Sequence, residues 1–242
     1  MAMTIAVPLA RMGVVLSSSN RWVEPYFRAH APDTLAIHLT RMRMASRART
    51  ALDAAAAEAV EAAKLVAEAR VDVIDLQATG LVMAMGAAGE AKVIKAIEDA
   101  TGIPAYSATQ ALVEALGALG LKRVLSITPA RGRERAYLEA AGIEFAGEVA
   151  LDLGDGPVAA EVPFETWVAA ARANDSAAAQ GVLLSGSNTT MVDAIGPIEE
   201  ALGKPVVTSI QAALWGGLRR LKGKLGEIPP NPALGRLMEV GV

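Results

Sequence analysis

Two stretches of this chain, IEDATGIPAYSATQAL at residues 97–112 and IEEALGKPVVTSIQAA at residues 198–213, decide how it folds. At a constant offset of 101 residues, seven of the sixteen positions are identical: Ile97/Ile198, Glu98/Glu199, Ala100/Ala201, Gly102/Gly203, Pro104/Pro205, Gln110/Gln211 and Ala111/Ala212. Each copy reads as the end of a helix, a glycine at its C-cap, a proline-led strand and a new helix. Upstream of each stands a buried strand that runs into small polar residues, DLQATG at 75–80 and LLSGSN at 183–188. Shared ancestry is the simplest account of such a match. It implies two similar lobes related by a pseudo-twofold axis.

Around these copies, short apolar runs alternate with longer helical stretches. Residues 12–17 (MGVVLS), 35–39, 71–76 (VDVIDL), 123–127 (RVLSI), 181–184 (GVLL) and 205–207 read as strands covered on both faces. Residues 46–70, 90–100, 107–119, 131–141, 163–173, 191–202 and 209–221 read as helices, the first of them the clearest because it is rich in alanine. Such alternation with short connections predicts an α/β fold with parallel sheets. The expected division is a first lobe of residues 1–104 plus 210–242 and a second of 105–209. Ligands of open α/β sheets bind beyond the carboxyl ends of the strands, so two such ends facing each other would make one cleft.

Composition narrows the chemistry. Of 242 residues, 52% are hydrophobic and 4% aromatic, enough apolar matter to exclude intrinsic disorder. The net charge is −3 and no run of basic residues exceeds two, so a nucleic-acid surface is not expected. Apolar runs stop at about eight residues against the ~20 of a spanning helix, so no membrane segment is expected and a cytoplasmic location is the default. Cysteine is absent, which removes disulfides, thiol nucleophiles and cysteine metal sites. Two histidines add little, and no metal centre is expected.

Three segments place small polar groups after a buried strand: Ser17, Ser18, Ser19 and Asn20; Ala78, Thr79 and Gly80; and Ser185, Gly186, Ser187, Asn188, Thr189 and Thr190. Two readings stand side by side. Such residues cap helices, and where several cluster at helix N-termini their N–H groups and hydroxyls also bind carboxylates. His38, mid-strand, reads as a hydrogen-bonded core or interface histidine, and His30, beside Pro32, as a solvated loop residue. The pairs Glu98-Asp99 and Glu199-Glu200 are expected on solvent faces. Arg41 and Arg43 flank a strand end and would meet either a substrate carboxylate or a salt-bridge partner. Arg131 and Arg133 open a helix where cations oppose the dipole, a weak pointer to a nearby anion. The apolar face at 111–119 would serve either packing within a lobe or a homo-oligomer interface.

Four segments carry a resemblance: GVVLSSSNRWVEPYF at 13–27, LTRMRM at 39–44, GVLLSGSNTTMVDAIGPIEEALGKPVVTSIQAALWGGLR at 181–219 and LGRL at 234–237. Spread along nearly the whole chain, they are similar to the maleate isomerase and arylmalonate decarboxylase branch of the aspartate/glutamate racemase superfamily. The resemblance implies two pseudosymmetric lobes, an active site between them, no cofactor, and a small dicarboxylate as substrate. It also implies a catalytic cysteine in each lobe, of which the decarboxylases keep only the second. Here those positions fall on Ala78 and Gly186. A tyrosine usual after the second lobe's strand falls on Ala130, and an asparagine usual later in that lobe falls near Asp155 and Gly156. Asn20, Thr79, Gly80, Leu81, Thr128, Ser185, Ser187 and Asn188 would remain to bind substrate, with Ser187 or water left to deliver a proton. The expected activity is cofactor-independent isomerisation of the maleate type. The alternatives are an arylmalonate-type decarboxylase and a non-catalytic acid-binding homologue or cysteine-replaced variant.

Overall fold

The computed structural model describes residues 7–44, 51–130, 134–153 and 157–241. They build two four-stranded sheets, every pairing parallel. The first holds β1 (Ala10–Ser17), β2 (Leu35–Met42), β3 (Val73–Gln77) and β4 (Ala105–Ser107) in the order β2-β1-β3-β4. The second holds β5 (Arg123–Thr128), β6 (Glu144–Ala150), β7 (Gly181–Leu184) and β8 (Val206–Thr208) in the matching order β6-β5-β7-β8. Helices α1 (Val23–His30), α2 (Leu52–Ala67), α3 (Thr79–Thr101), α4 (Ala108–Ala118), α5 (Glu134–Ala140), α6 (Pro157–Ala160), α7 (Phe164–Asn174), α8 (Ile195–Leu202) and α9 (Ser209–Leu225) connect and cover them. The α/β expectation holds, as does the pairing of two similar sheets. Among the described residues no helix is long and apolar enough to cross a membrane.

The 101-residue repeat marks where each half ties a helix to its last strand. Glu98 accepts a hydrogen bond from the Ala105 N–H (3.0 Å), and Glu199 accepts one from the Val206 N–H (2.9 Å). The Pro104 carbonyl receives the Ile74 N–H and the Pro205 carbonyl the Val182 N–H, both at 2.9 Å. Gly102 and Gly203 end their helices at φ 69° and 66°, the left-handed turn that favours glycine. Ser107 and Thr208 then cap the next helices, accepting from the backbone of Gln110 and Gln211. The expectation that Glu98 and Glu199 face solvent is therefore corrected. Both turn inward to satisfy strand-end N–H groups, and burial pushes the Glu199 carboxyl above its ordinary range.

One face of the first sheet, with Val15, Ile74 and Leu76, packs on α2 and α3. Its other face, with Met12, Val14, Leu16 and Tyr106, merges with α4, α9 and the second sheet into a single larger core. The helix following β8 thus lies on the first sheet, where α9 contacts β1 and β3.

Several boundaries differ from the sequence expectation. The dividing line at residue 104 falls ahead of β4, which pairs with β3 and so belongs to the first sheet. Strand β6 and helix α1 were not expected. Helix α3 begins at Thr79, well before residue 90, and bends at Gly86 (φ 70°, ψ 174°). Helix α8 begins at Ile195, because residues 191–194 form turns. His30 ends α1 half-buried, stacked on Tyr26 and in contact with Asn231, and is no solvated loop residue; burial lowers its pKa. His38 is half-buried, and its Nε2 has no hydrogen-bond partner among the described residues. The start of the helix expected from residue 46, Arg131, Arg133, Asp155 and Gly156 lie outside the described residues.

Candidate functional site

The central strand pair of the first sheet, β1 and β3, and that of the second, β5 and β7, end at one junction between the lobes. Strand β1 gives way to the loop 17–20, and β7 to the loop 185–190. These two tips are joined directly. The Asn20 amide donates to the Ser187 carbonyl (2.8 Å), the Arg21 N–H donates to Asn188 Oδ1 (2.7 Å), and Asn188 Nδ2 donates to the Ser19 carbonyl (3.3 Å). Asn20 is 3% exposed and also organises its own side of the junction. Its Oδ1 accepts from the N–H groups of Trp22 (3.1 Å) and Val23 (3.0 Å), supplying the cap that opens α1. Pro25 is tolerated there because N–H groups in a first turn have no helical acceptor.

A second strand-end link runs through Ser209 at the start of α9. Its hydroxyl accepts the Gly186 N–H (3.2 Å), and its carbonyl faces the Gln77 amide (3.5 Å) at the end of β3. The Gly186 N–H is thus engaged by the Ser209 hydroxyl. Its φ of 127° is a conformation that side chains rarely adopt, and a Cβ built there would meet Pro129 Cγ at 2.9 Å. Ala78 differs. At φ −140° and 5% exposed, it sits at the head of α3 and takes the N–H groups of Leu81 and Val82 on its carbonyl.

Two hydroxyls complete the junction. Thr79 (2% exposed) opens α3 after β3, and Ser185 (0%) follows β7; neither hydroxyl has a partner among the described residues. A buried hydroxyl left unpaired costs about 1–3 kcal/mol; Thr109 and Ser126 carry unpartnered buried hydroxyls elsewhere in the fold. Gly80 is half-buried and Leu81 buried in the same helical turn. Thr128, buried at the end of β5, spends its hydroxyl on the Ala130 carbonyl (2.9 Å), within its own loop.

Of the residues singled out from sequence, the structure thus brings Asn20, Ser187 and Asn188 into direct contact. It places Ala78, Thr79, Gly80, Leu81, Ser185 and Gly186 at the strand ends beside them, and leaves Thr128 facing its own loop. Sequence reasoning missed Ser209, Gln77, Arg21 and Trp22. Arg21 reaches Glu161 (2.9 Å) and the Trp22 indole donates to the Ala160 carbonyl (2.6 Å), both across the junction. Tyr26 adds a further crossing bond to Asp193 (2.5 Å). The only available signal was the NRW that follows the serine run.

The model of the arylmalonate decarboxylase family matches residues 30–237. The chain is 32% identical over 193 residues to the arylmalonate decarboxylase of Bordetella bronchiseptica, covering 77% of this chain and 79% of that one. It is 30% identical to the maleate isomerase of Nocardia farcinica over an alignment of 245 residues, covering 95% and 96%. A solved cysteine-to-serine variant of the Nocardia farcinica maleate cis-trans isomerase, with a covalently bound succinylcysteine intermediate, superposes at a TM-score of 0.85 and 28% identity over 95% of this chain and 98% of that one. The chain belongs to the arylmalonate decarboxylase family, in which it stands close to the maleate isomerases as well, as the quoted segments implied.

Proposed function

We propose that this chain acts on a small dicarboxylate at the junction of its two sheets, without thiol or cofactor, and that decarboxylation is the reaction its residues suit best. The observation that carries the reading is the pair of buried, unpartnered hydroxyls, Thr79 at the end of β3 and Ser185 at the end of β7. Each can donate to one carboxylate. The first segment of α3, residues 79–85 ahead of the break at Gly86, starts at Ala78 without a side-chain cap, which leaves first-turn N–H groups on the Thr79 side. The two kinds of relative are enzymes of dicarboxylates, arylmalonate and maleate.

The choice between their reactions follows from what the site lacks. The Nocardia farcinica structure holds a succinylcysteine, a bond between substrate carbon and a cysteine sulfur. This chain contains no cysteine. A serine hydroxyl replaces a thiol only when a base takes its proton; Ser187 receives the Asn20 amide on its carbonyl, and among the described residues no carboxylate or imidazole is hydrogen-bonded to its hydroxyl. Decarboxylation asks less of the protein. The carbon–carbon bond breaks with its electron pair delocalised into the remaining carboxylate, carbon dioxide leaves, and a proton from water or the Ser187 hydroxyl completes the product. Excluding water from the departing carboxylate favours that step, and Leu81, Val82 and Met83, all buried, supply an apolar wall beside Thr79.

The test is to incubate the protein separately with a prochiral arylmalonate and with maleate, following products by NMR. Loss of carbon dioxide from the arylmalonate is expected. The product should be racemic, because no fixed titratable acid is placed on one face. Fumarate from maleate would instead favour the isomerase reading, which rests on the near-complete overlap with the Nocardia farcinica enzyme. Saturable binding of both acids without turnover would make the chain a non-catalytic binder.

A further inference from the structure

Met42 of the LTRMRM segment enters the core, but the segment's arginines do not, and one of them reaches the junction. Arg41, on the edge strand β2, sends Nη1 to the carbonyl of Asn20 (2.6 Å) and to that of Ser18 (3.3 Å). Its Nη2 meets Glu24 Oε2 (3.3 Å), in the first turn of α1. The guanidinium thus fixes the two carbonyls that bracket Ser19 and ties the loop to the helix the loop opens. We propose that Arg41 is a positioning residue of the ligand site, acting through Asn20; the proposal rests on the dicarboxylate reading above.

The geometry gives three reasons. Asn20 uses its side chain in two directions at once, toward Ser187 in the second lobe and toward the Trp22 and Val23 N–H groups in the first. Such an amide holds its orientation only if its own backbone is fixed, and the Asn20 carbonyl bond to Arg41 is the anchor on that side. A planar group that gives Nη1 to the two carbonyls and Nη2 to Glu24 suits arginine, since lysine offers a point charge rather than a fork. The Ser19 carbonyl, between the two that Arg41 holds, is turned to Asn188, so the loop crosses the junction by alternate carbonyls. Arg41 therefore sets the loop that faces Ser187 without itself entering the site.

The experiment compares wild-type protein with Arg41→Ala and Arg41→Lys in two measurements. Amide hydrogen exchange at Trp22 and Val23 reports whether Asn20 still caps α1, and calorimetric titration with maleate and with phenylmalonate reports the site. Because the Arg41–Glu24 pair is partly exposed, with side-chain exposures of 40% and 35%, Arg41→Ala should lower the melting temperature only slightly. It should nevertheless speed exchange of the two amides at least ~tenfold and weaken acid binding roughly 10–100-fold, the scale of a misplaced ligand group. Arg41→Lys should recover part of both losses. Unchanged exchange and affinity in Arg41→Ala would overturn the proposal. So would full recovery of affinity in Arg41→Lys, which would leave charge alone as the cause. If wild-type protein binds neither acid, the dicarboxylate reading fails, and the exchange arm alone decides whether Arg41 holds the loop.

Discussion

Gly186 holds a backbone conformation that other residues rarely adopt. Its φ of 127° and the Pro129 ring 2.9 Å from a would-be Cβ mean that the backbone has settled into a shape only glycine takes easily. Gly186→Ala should cost about 1–3 kcal/mol in urea unfolding, whereas Ala78→Cys, at an ordinary φ of −140°, should cost under about 1 kcal/mol. Equal costs would show that the loop relaxes freely. A cysteine is thus accommodated without backbone strain at position 78 and strained at position 186. Asp75 carries a different prediction. It is fully buried on β3, and neither oxygen has a partner among the described residues. Burial pushes its pKa well above the usual range, and Arg220 opposes the shift. Tyr106 is its neighbour on β4, and Glu114 acts on Tyr106 in turn. With its pKa raised in the folded state, the folded protein binds the proton more tightly than the unfolded chain. Stability from this group is present below about pH 4, the unfolded value, and falls as pH rises toward the folded value. Asp75→Asn should therefore be more stable than wild type at pH 8, by about 1–3 kcal/mol, the scale of a buried polar group without a partner. That advantage should shrink at pH 4, as read from melting curves; a pH-independent difference would refute it. None of this was legible beforehand. Sequence marked positions 20, 78, 79 and 185–188 as strand-end residues, but the glycine's backbone angle and the partners of a buried carboxylate are set by tertiary contact.

At the scale of elements, the repeat makes a ranked prediction. Glu98 and Glu199 do the same work, each accepting the N–H of the residue seven positions on, but in different surroundings. Glu199 is 9% exposed and also takes the Arg236 N–H, so its removal strands two donors, one of them buried. Glu199→Ala should cost about 1–3 kcal/mol, and Glu98→Ala, half-exposed, clearly less. Urea denaturation of both variants checks the order, and a larger loss from Glu98→Ala would contradict it. The same pair explains what sequence could and could not yield. Identity at a fixed offset picked out the helix–glycine–proline–strand unit because that unit is held by local geometry. The strand β6, EFAGEVA, escaped because it lies at a sheet edge, with mixed polarity and every residue exposed or half-buried. Its Phe145 is covered from outside by the Arg135 guanidinium, 4.6 Å from the ring centre, which no periodicity announces. Helix α1 escaped because Pro25 and the polar run before it read as loop. It is helical because Asn20 caps it from a position fixed across the junction.

For the molecule as a whole, the sequence suggested two lobes, and the packing joins them. Met12, Val14 and Tyr106 of the first sheet share one continuous core with Val124, Val182 and Val206 of the second, through α4 and α9. Polar ties run the same way. The Tyr106 hydroxyl donates to the Ala213 carbonyl (2.7 Å), Arg220 of α9 grips Glu114 of α4 (2.7 Å), and Glu90 of α3 receives the hydroxyls of Ser107 and of Tyr137 in α5. Removing either sheet would expose the inner faces of both helices, including Trp215 and Leu112, each 0% exposed. A lobe that leaves that much apolar surface uncovered cannot offset its ordering entropy. The chain should therefore unfold in one cooperative step, with calorimetric and van't Hoff enthalpies equal within error. Leu112→Ala, at the centre of the shared core, should cost about 2–5 kcal/mol and shift the whole transition rather than split it. Scanning calorimetry of the wild type and this variant decides the matter. Two resolved transitions, or a Leu112→Ala shift confined to part of the heat absorption, would mean that the lobes are energetically separate and that the cleft between them is a hinge.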